Sequence, residues 1–182
     1  MTPPAARRGA VGLLLLAAAC GGGAPPAVQP TPLRIDNVSP TVLAIEAAVV
    51  AQVRSAVGRP YRLGGRDSTG FDCSGLIQSA YAAHGYALPR ISRDQARAGR
   101  SVPLDLKALR PGDILAFAGS GIVVSHVGLY VGNGRFIHSA SRGVRESRLD
   151  AADPDGRWYV QRWVGARRIL PTWPSEPADS TD

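Results

Sequence analysis

Apolar residues run without interruption from Ala10 to Ala19 apart from Gly12, behind the basic pair Arg7 and Arg8, and the run stops at Cys20. It is about half of the roughly 20 residues that a helix needs to cross a bilayer. It therefore reads as an export leader and not as a permanent span. Residues 21–38 are Gly- and Pro-rich and show no periodicity, which predicts a flexible tether. Helical spacing begins at Ser39, which can cap a helix with Pro40 at its first position. Val42, Leu43, Ile45, Val49, Val50 and Val53 follow, before Gly58 and Pro60 stop it. A second helix is predicted over residues 73–84, with Asp72 as N-cap, Leu76, Ile77, Ala80 and Tyr81 on one face, and Gly85 as its end. Ser92 is predicted to cap a short third helix running through Ala98.

Beyond residue 110 the pattern shifts to short apolar runs between turn residues. Residues 113–118, 126–131 and 135–139 read as strands, the last two joined by Gly132-Asn133-Gly134, whose residue types tolerate the positive φ of a tight turn. Residues 158–169 read as one or two further strands, with Trp158, Tyr159 and Trp163 as core. Helices first and an antiparallel meander afterwards predict an α+β domain over residues 39–170, with a Pro-rich, acidic and disordered tail at 171–182.

Cysteine usage sharpens the compartment. Small residues before Cys20 resemble the lipobox of bacterial lipoproteins, which implies a leader at 1–19, acylation of Cys20, and a membrane-held tether over 20–38. Gly21 after Cys20 lacks the aspartate associated with inner-membrane retention, so the expected location is the cell envelope, lipid-anchored, and on an outer membrane facing the periplasm if the organism is Gram-negative. The only other cysteine is Cys73, which is left unpaired in an oxidising compartment and calls for a chemical reason. Charge is less selective. The chain has 21 Lys and Arg against 14 Asp and Glu, and 19 against 14 once Arg7 and Arg8 leave with the leader. That balance suits nucleic acid, anionic lipid or an acidic polymer such as cell wall equally well.

Cys73 begins a predicted helix, where free N–H groups and the helix dipole favour a thiolate and can also hold an oxyanion. A base must come from elsewhere, and His126 and His138 fall on adjacent predicted strands. Across the Gly132-Asn133-Gly134 turn, positions whose numbers sum to about 266 lie opposite, which makes the two histidines neighbours within one residue of register. His126 is the candidate base and His138 the candidate to orient it. His84 reads as a surface residue at a helix end.

These residues resemble the NlpC/P60 family of cell-wall cysteine peptidases. The matching stretches are Pro60-Tyr61-Arg62-Leu63-Gly64-Gly65, Gly70-Phe71-Asp72-Cys73-Ser74-Gly75-Leu76, Leu88-Pro89-Arg90-Ile91-Ser92, Leu109-Arg110-Pro111-Gly112-Asp113, His126 to Gly134, and Phe136-Ile137-His138. The resemblance implies a papain-like fold with N-terminal helices on an antiparallel sheet of about five to six strands. It implies a Cys73–His126–His138 triad, Tyr61 near the developing oxyanion, and Asp72 and Ser74 at the substrate's peptide end. The bland readings are a helix cap for Asp72 and a solvent-facing first-turn residue for Ser74. Gly64 and Gly65 are expected to make a tight turn that lets Tyr61 approach. The segment 120–125 is more apolar than the loop many relatives carry there. Arg90, Arg93, Arg97 and Arg100 could meet acidic peptides or simply solvate the third helix.

The reading that follows is a monomeric peptidoglycan endopeptidase, held to a membrane by its N-terminal lipid, with no nucleic-acid partner and no metal or organic cofactor. Three others compete with it: a zinc site on Cys73, His126 and His138, which lacks a recognisable fourth ligand; a silent wall-binding or scaffolding lipoprotein; and an amidase or acyltransferase acting on another amide.

Overall fold

A computed structural model describes residues 40–119 and 121–170. The expected leader, Cys20, the tether, Ser39 and the C-terminal tail lie outside the described residues. The elements run α1 (Pro40–Ser55), β1 (Arg66–Asp67), β2 (Gly70–Phe71), α2 (Cys73–Ala82), α3 (Ser92–Gln95), β3 (Arg100–Ser101), β4 (Ile114–Ala118), β5 (Val124–Gly132), β6 (Arg135–Ala140), β7 (Gly143–Arg148), α4 (Pro154–Val160) and β8 (Trp163–Arg168). β1 and β2 form a small hairpin, and the other six strands make one antiparallel sheet in the order β3-β8-β4-β5-β6-β7. Among the described residues, no helix is long and apolar enough to cross a membrane.

Strand alternation builds two cores. Ile114, Val127, Leu129 and Ile137 face Val49, Val53, Leu76, Ile77 and Tyr81 of α1 and α2. Their strand neighbours Leu115, Phe117, Tyr130 and Phe136 gather on the other side with Leu149, Tyr159 and Ala166. Burial on both faces is why β4, Ile-Leu-Ala-Phe-Ala, is apolar at every position instead of alternating.

The expected hairpin forms as its turn chemistry requires, with φ of +96° at Gly132, +53° at Asn133 and +68° at Gly134. Leu129 pairs with Ile137 and Tyr130 with Phe136, the register whose numbers sum to 266. Two expectations are corrected, and one strand is added. Residues 158–160 are helical: Asp153 accepts the Gly156 N–H at 3.0 Å and Pro154 opens the turn, and this capping overrides the β preference of Trp158, Tyr159 and Val160. Trp158 is consequently 45 % exposed, whereas Tyr159 is core. The third helix is a single turn, Ser92–Gln95, with Ile91 and not Ser92 at its N-cap. β7, Gly-Val-Arg-Glu-Ser-Arg, went unread because its polar positions hide the period, and pairing with β6 holds it extended.

Candidate active site

The start of α2 is fixed by backbone packed on backbone. A Cβ on Gly75 would overlap the carbonyl oxygen of Gly65, and one on Gly65 would overlap that of Gly70. Gly64 holds φ at +76°, which turns the chain so that these close approaches can occur. Asp72 N–H then donates to the Gly65 carbonyl at 3.0 Å, and a bridge joins Tyr61 to Phe71, which brings Tyr61 beside Cys73. The glycines thus do what their motif suggested.

Asp72 is the N-cap, accepting from Gly75 N–H at 2.7 Å. It does more: its other oxygen accepts from Gly64 N–H at 2.9 Å, and Arg90 grips both oxygens at 3.0 and 2.6 Å. A forked, charge-assisted pair of this kind holds the carboxylate ionised, and Asp72 titrates below the usual carboxylate range despite the opposing effect of burial. Ser74 is buried and not solvent-facing, since its hydroxyl lies 3.3 Å from Asp72 Oδ1 and accepts from Arg90 at 3.0 Å. Arg90 therefore organises the helix terminus instead of solvating α3. Gln95 was missed by the sequence reading. It is fully buried, and its amide donates to the carbonyls of Ser74 and Pro89, each at 2.9 Å, strapping α3 to the first turn of α2.

Cys73 is a free, partly buried thiol that takes hydrogen bonds from the backbone N–H groups of Val127 and Ser74. Val127 follows His126, so the thiol meets β5 where the candidate base stands. Burial pushes the Cys73 thiol above its ordinary value, outweighing those hydrogen bonds. Burial thus opposes the thiolate that the helix terminus favours.

The two histidines meet across the sheet. The β5–β6 register, continued by one pair, sets Gly128 opposite His138, and the missing side chain leaves His138 room to reach diagonally to His126. His126 Nε2 lies 2.9 Å from His138 Nδ1, and His138 Nε2 lies 3.0 Å from Ser147 Oγ and 3.2 Å from the Tyr159 hydroxyl. Ser147 and Tyr159 come from the strand and helix that the sequence pattern did not reveal. Phe117, Phe136 and Tyr159 pack around both rings. On the described residues no group of three or more His, Cys, Asp or Glu side chains is gathered as a metal site. His84 is partly buried in the turn after α2, with its Nε2 unpaired, and takes no part in the site.

Burial lowers His126 to about 4, and burial together with the charges of His126 and Arg145 lowers His138 to about 3. Both therefore stay neutral at neutral pH. The unfolded chain takes up protons near its ordinary 6.5 while the folded chain does not, so this part of the stability is present above about pH 6.5 and lost as pH falls toward 4 and then 3. The melting temperature is expected to fall steadily between about pH 6.5 and 4, above the window in which Asp72 protonates. A melting temperature flat over that range would contradict the buried neutral pair.

Residues 58–168 match the NlpC/P60 family. The chain belongs to the NlpC/P60 family. Among curated relatives it is 49 % identical over 90 residues to a γ-D-glutamyl-L-lysine dipeptidyl-peptidase of Bacillus subtilis (strain 168), covering 48 % of this chain and 29 % of that protein. It is 37 % identical over 117 residues to the murein DD-endopeptidase MepH of Escherichia coli (strain K12), covering 63 % of this chain and 42 % of that one. The chain thus spans less than half the length of either. The crystal structure of an NlpC/P60 family protein from Bacillus cereus superposes with a TM-score of 0.62 at 35 % identity, over 69 % of this chain and 40 % of that one. The NlpC/P60 fold, helices on an antiparallel sheet, is the architecture described above.

Proposed function

We propose that this NlpC/P60 protein hydrolyses an amide bond in peptidoglycan stem peptides, at a bond involving D-glutamate or diaminopimelate, with Cys73 as nucleophile. The observation that carries the reading is the 2.9 Å contact between His126 Nε2 and His138 Nδ1 beside a thiol anchored on Val127. For His126 to accept a proton at Nδ1, its Nε2 must carry hydrogen and donate to His138 Nδ1. That places the His138 proton on Nε2, where Ser147 Oγ and the Tyr159 hydroxyl are ready to accept it. Attack then begins from a neutral thiol and a neutral imidazole. The thiol proton passes to His126 as sulfur bonds to the carbonyl carbon, and His126 returns it to the amine as the C–N bond breaks. Water then gives a proton to His126 as it attacks the thioester, and the C–S bond breaks to release the acid and the reprotonated thiol. In this reading the N–H groups at the start of α2 and the Tyr61 hydroxyl hold the oxyanion. The two relatives, both peptidases and one of them acting on murein, support the substrate class.

The test is digestion of purified peptidoglycan by the full chain and by Cys73→Ala, with fragments identified by mass. Peptides released by the parent alone support the reading. No release from folded, reduced parent would replace it with a wall-binding or scaffolding role.

The same proposal places the protein in the cell envelope, anchored by acylation of Cys20, on the strength of the leader and Cys20 in the sequence. Labelled palmitate is expected to enter the parent and not Cys20→Ala when each is expressed in a bacterial host. Equal labelling of the two would remove the anchor.

A further inference from the structure

A concavity of about 230 Å³ lies between the end of α1, the β1–β2 hairpin and α2, floored by the buried Phe71 and Leu76 and rimmed by Ser55, Arg59, Arg66 and Asp67. None of Tyr61, Cys73, His126 and His138 lines it, so the peptidase reading makes no use of it. It is small for a whole ligand and of a size for a headgroup. Its rim is held by backbone. Arg59 donates its N–H to the Ala56 carbonyl at 3.0 Å and its carbonyl accepts from Val144 N–H at 2.8 Å, while Arg66 pairs with Phe71 across the hairpin.

Cations dominate this face. Between Glu46 and Asp67 the chain carries four arginines and no acid. Two of the four are engaged, Arg54 with Glu146 at 3.2 Å and Arg62 with Thr69 Oγ1 at 2.8 Å. Arg59 and Arg66, the two on the rim, make no ion pair and no side-chain hydrogen bond among the described residues. The acid on the rim, Asp67, spends one oxygen on the hairpin turn: Oδ1 accepts from the Thr69 N–H at 2.9 Å and from its hydroxyl at 2.6 Å. Its Oδ2 accepts no hydrogen bond among the described residues. Ser55 donates its hydroxyl hydrogen to the Gln52 carbonyl at 2.8 Å, which leaves its oxygen able to accept. The rim thus offers two guanidiniums to an anion and two oxygens to hydroxyl donors. A bare inorganic anion would be repelled by Asp67, and a neutral polyol would leave both arginines unmatched.

We propose that this concavity binds a phosphate ester of a small polyol, of the glycerol phosphate kind, at a site separate from the catalytic one. Arg59 and Arg66 take the phosphate, and the free oxygens of Asp67 and Ser55 accept from the polyol hydroxyls. A soluble ester and the headgroup of a phospholipid present the same phosphate and the same hydroxyls, so either source satisfies the site.

The test follows the backbone amide NMR signals of the full chain at low salt during titration with glycerol phosphate and, separately, with inorganic phosphate. Saturating shifts are expected over residues 55–68 and not over 126–138, with glycerol phosphate binding about threefold or more tightly than inorganic phosphate. Combining Arg59→Gln with Arg66→Gln should weaken glycerol phosphate by about tenfold, as expected for the loss of two exposed charge contacts. In Asp67→Asn the gap between the two ligands should close, because inorganic phosphate is no longer repelled. Vesicles of phosphatidylglycerol and of phosphatidylserine, matched in charge, distinguish the sources. Retention of the parent above the double variant on phosphatidylglycerol alone assigns the site to a headgroup, whereas an equal difference on both vesicles, or none, assigns it to the soluble ester. Shifts that do not saturate, or that persist unchanged in the double variant, would overturn the site. Inorganic phosphate binding the parent as tightly as glycerol phosphate would overturn the polyol ligand.

Discussion

Cys73→Ala is expected to reduce release of peptide from peptidoglycan by about 10⁴-fold or more, with no loss of folding. The thiol is partly buried, and its polar contacts are to backbone N–H groups that stay fixed by the surrounding glycine packing, so its removal disturbs little structure. His126→Ala should be nearly as severe. Because a nucleophile and its base act as a unit, the double variant should be little worse than Cys73→Ala alone. His138→Ala is the more informative third variant. It breaks the 2.9 Å contact that fixes the His126 tautomer, and it also empties a fully buried site beneath Tyr159 and Ser147. His138→Gln keeps hydrogen-bonding atoms in that space and should recover folding ahead of activity. Residual cleavage by Cys73→Ala within tenfold of the parent would refute the thiol mechanism.

The largest single loss of stability is expected at Arg168→Ala. Asp113 is 1 % exposed and Arg168 8 %, and the guanidinium bonds the carboxylate in a fork, at 2.8 Å from Nε and 2.6 Å from a terminal nitrogen. A second terminal donation, to the Ala108 carbonyl at 2.9 Å, ties β8 to the loop before β4. Removing the cation strands a buried carboxylate whose one other bond among the described residues is from Arg110 N–H at 2.8 Å. Breaking one side of such a pair costs about 3–5 kcal/mol. Arg168→Lys keeps the charge but loses the fork, so it should fall in between. Adding Asp113→Asn to Arg168→Ala should return part of the loss, because the amide is not charged and can still accept from Arg110. Urea unfolding measures all three, and a loss below about 1 kcal/mol for Arg168→Ala would show that water reaches Asp113.

The helical starts and the central hairpin were legible because local chemistry decides them. Asp72 caps α2 through a contact within three residues, and Gly132, Asn133 and Gly134 are residue types that tolerate the positive φ all three adopt here. The pairing rule across that turn was enough to bring His126 and His138 within reach, since register in a hairpin is set by the turn. Local chemistry also explains the miss at residues 158–160. Asp153 and Pro154 are a helix start, and the aromatic run that followed them outweighed that signal in the reading.

By itself the sequence determined the α+β order of elements, the turn that sets the histidine register, and the free cysteine at a helix start, because each depends on residues close in the chain. The tertiary structure decided what surrounds them. Ser147 and Tyr159 reach His138 from 9 and 21 residues away, a meeting that no local pattern encodes. Arg90 grips Asp72 from 18 residues away and turns a simple cap into a closed network with Ser74. The protonation of the site was likewise decided by packing. A helix terminus favours thiolate, but burial between α2 and β5 raises Cys73 and lowers both histidines, and desolvation depends on every neighbour a folded chain brings in.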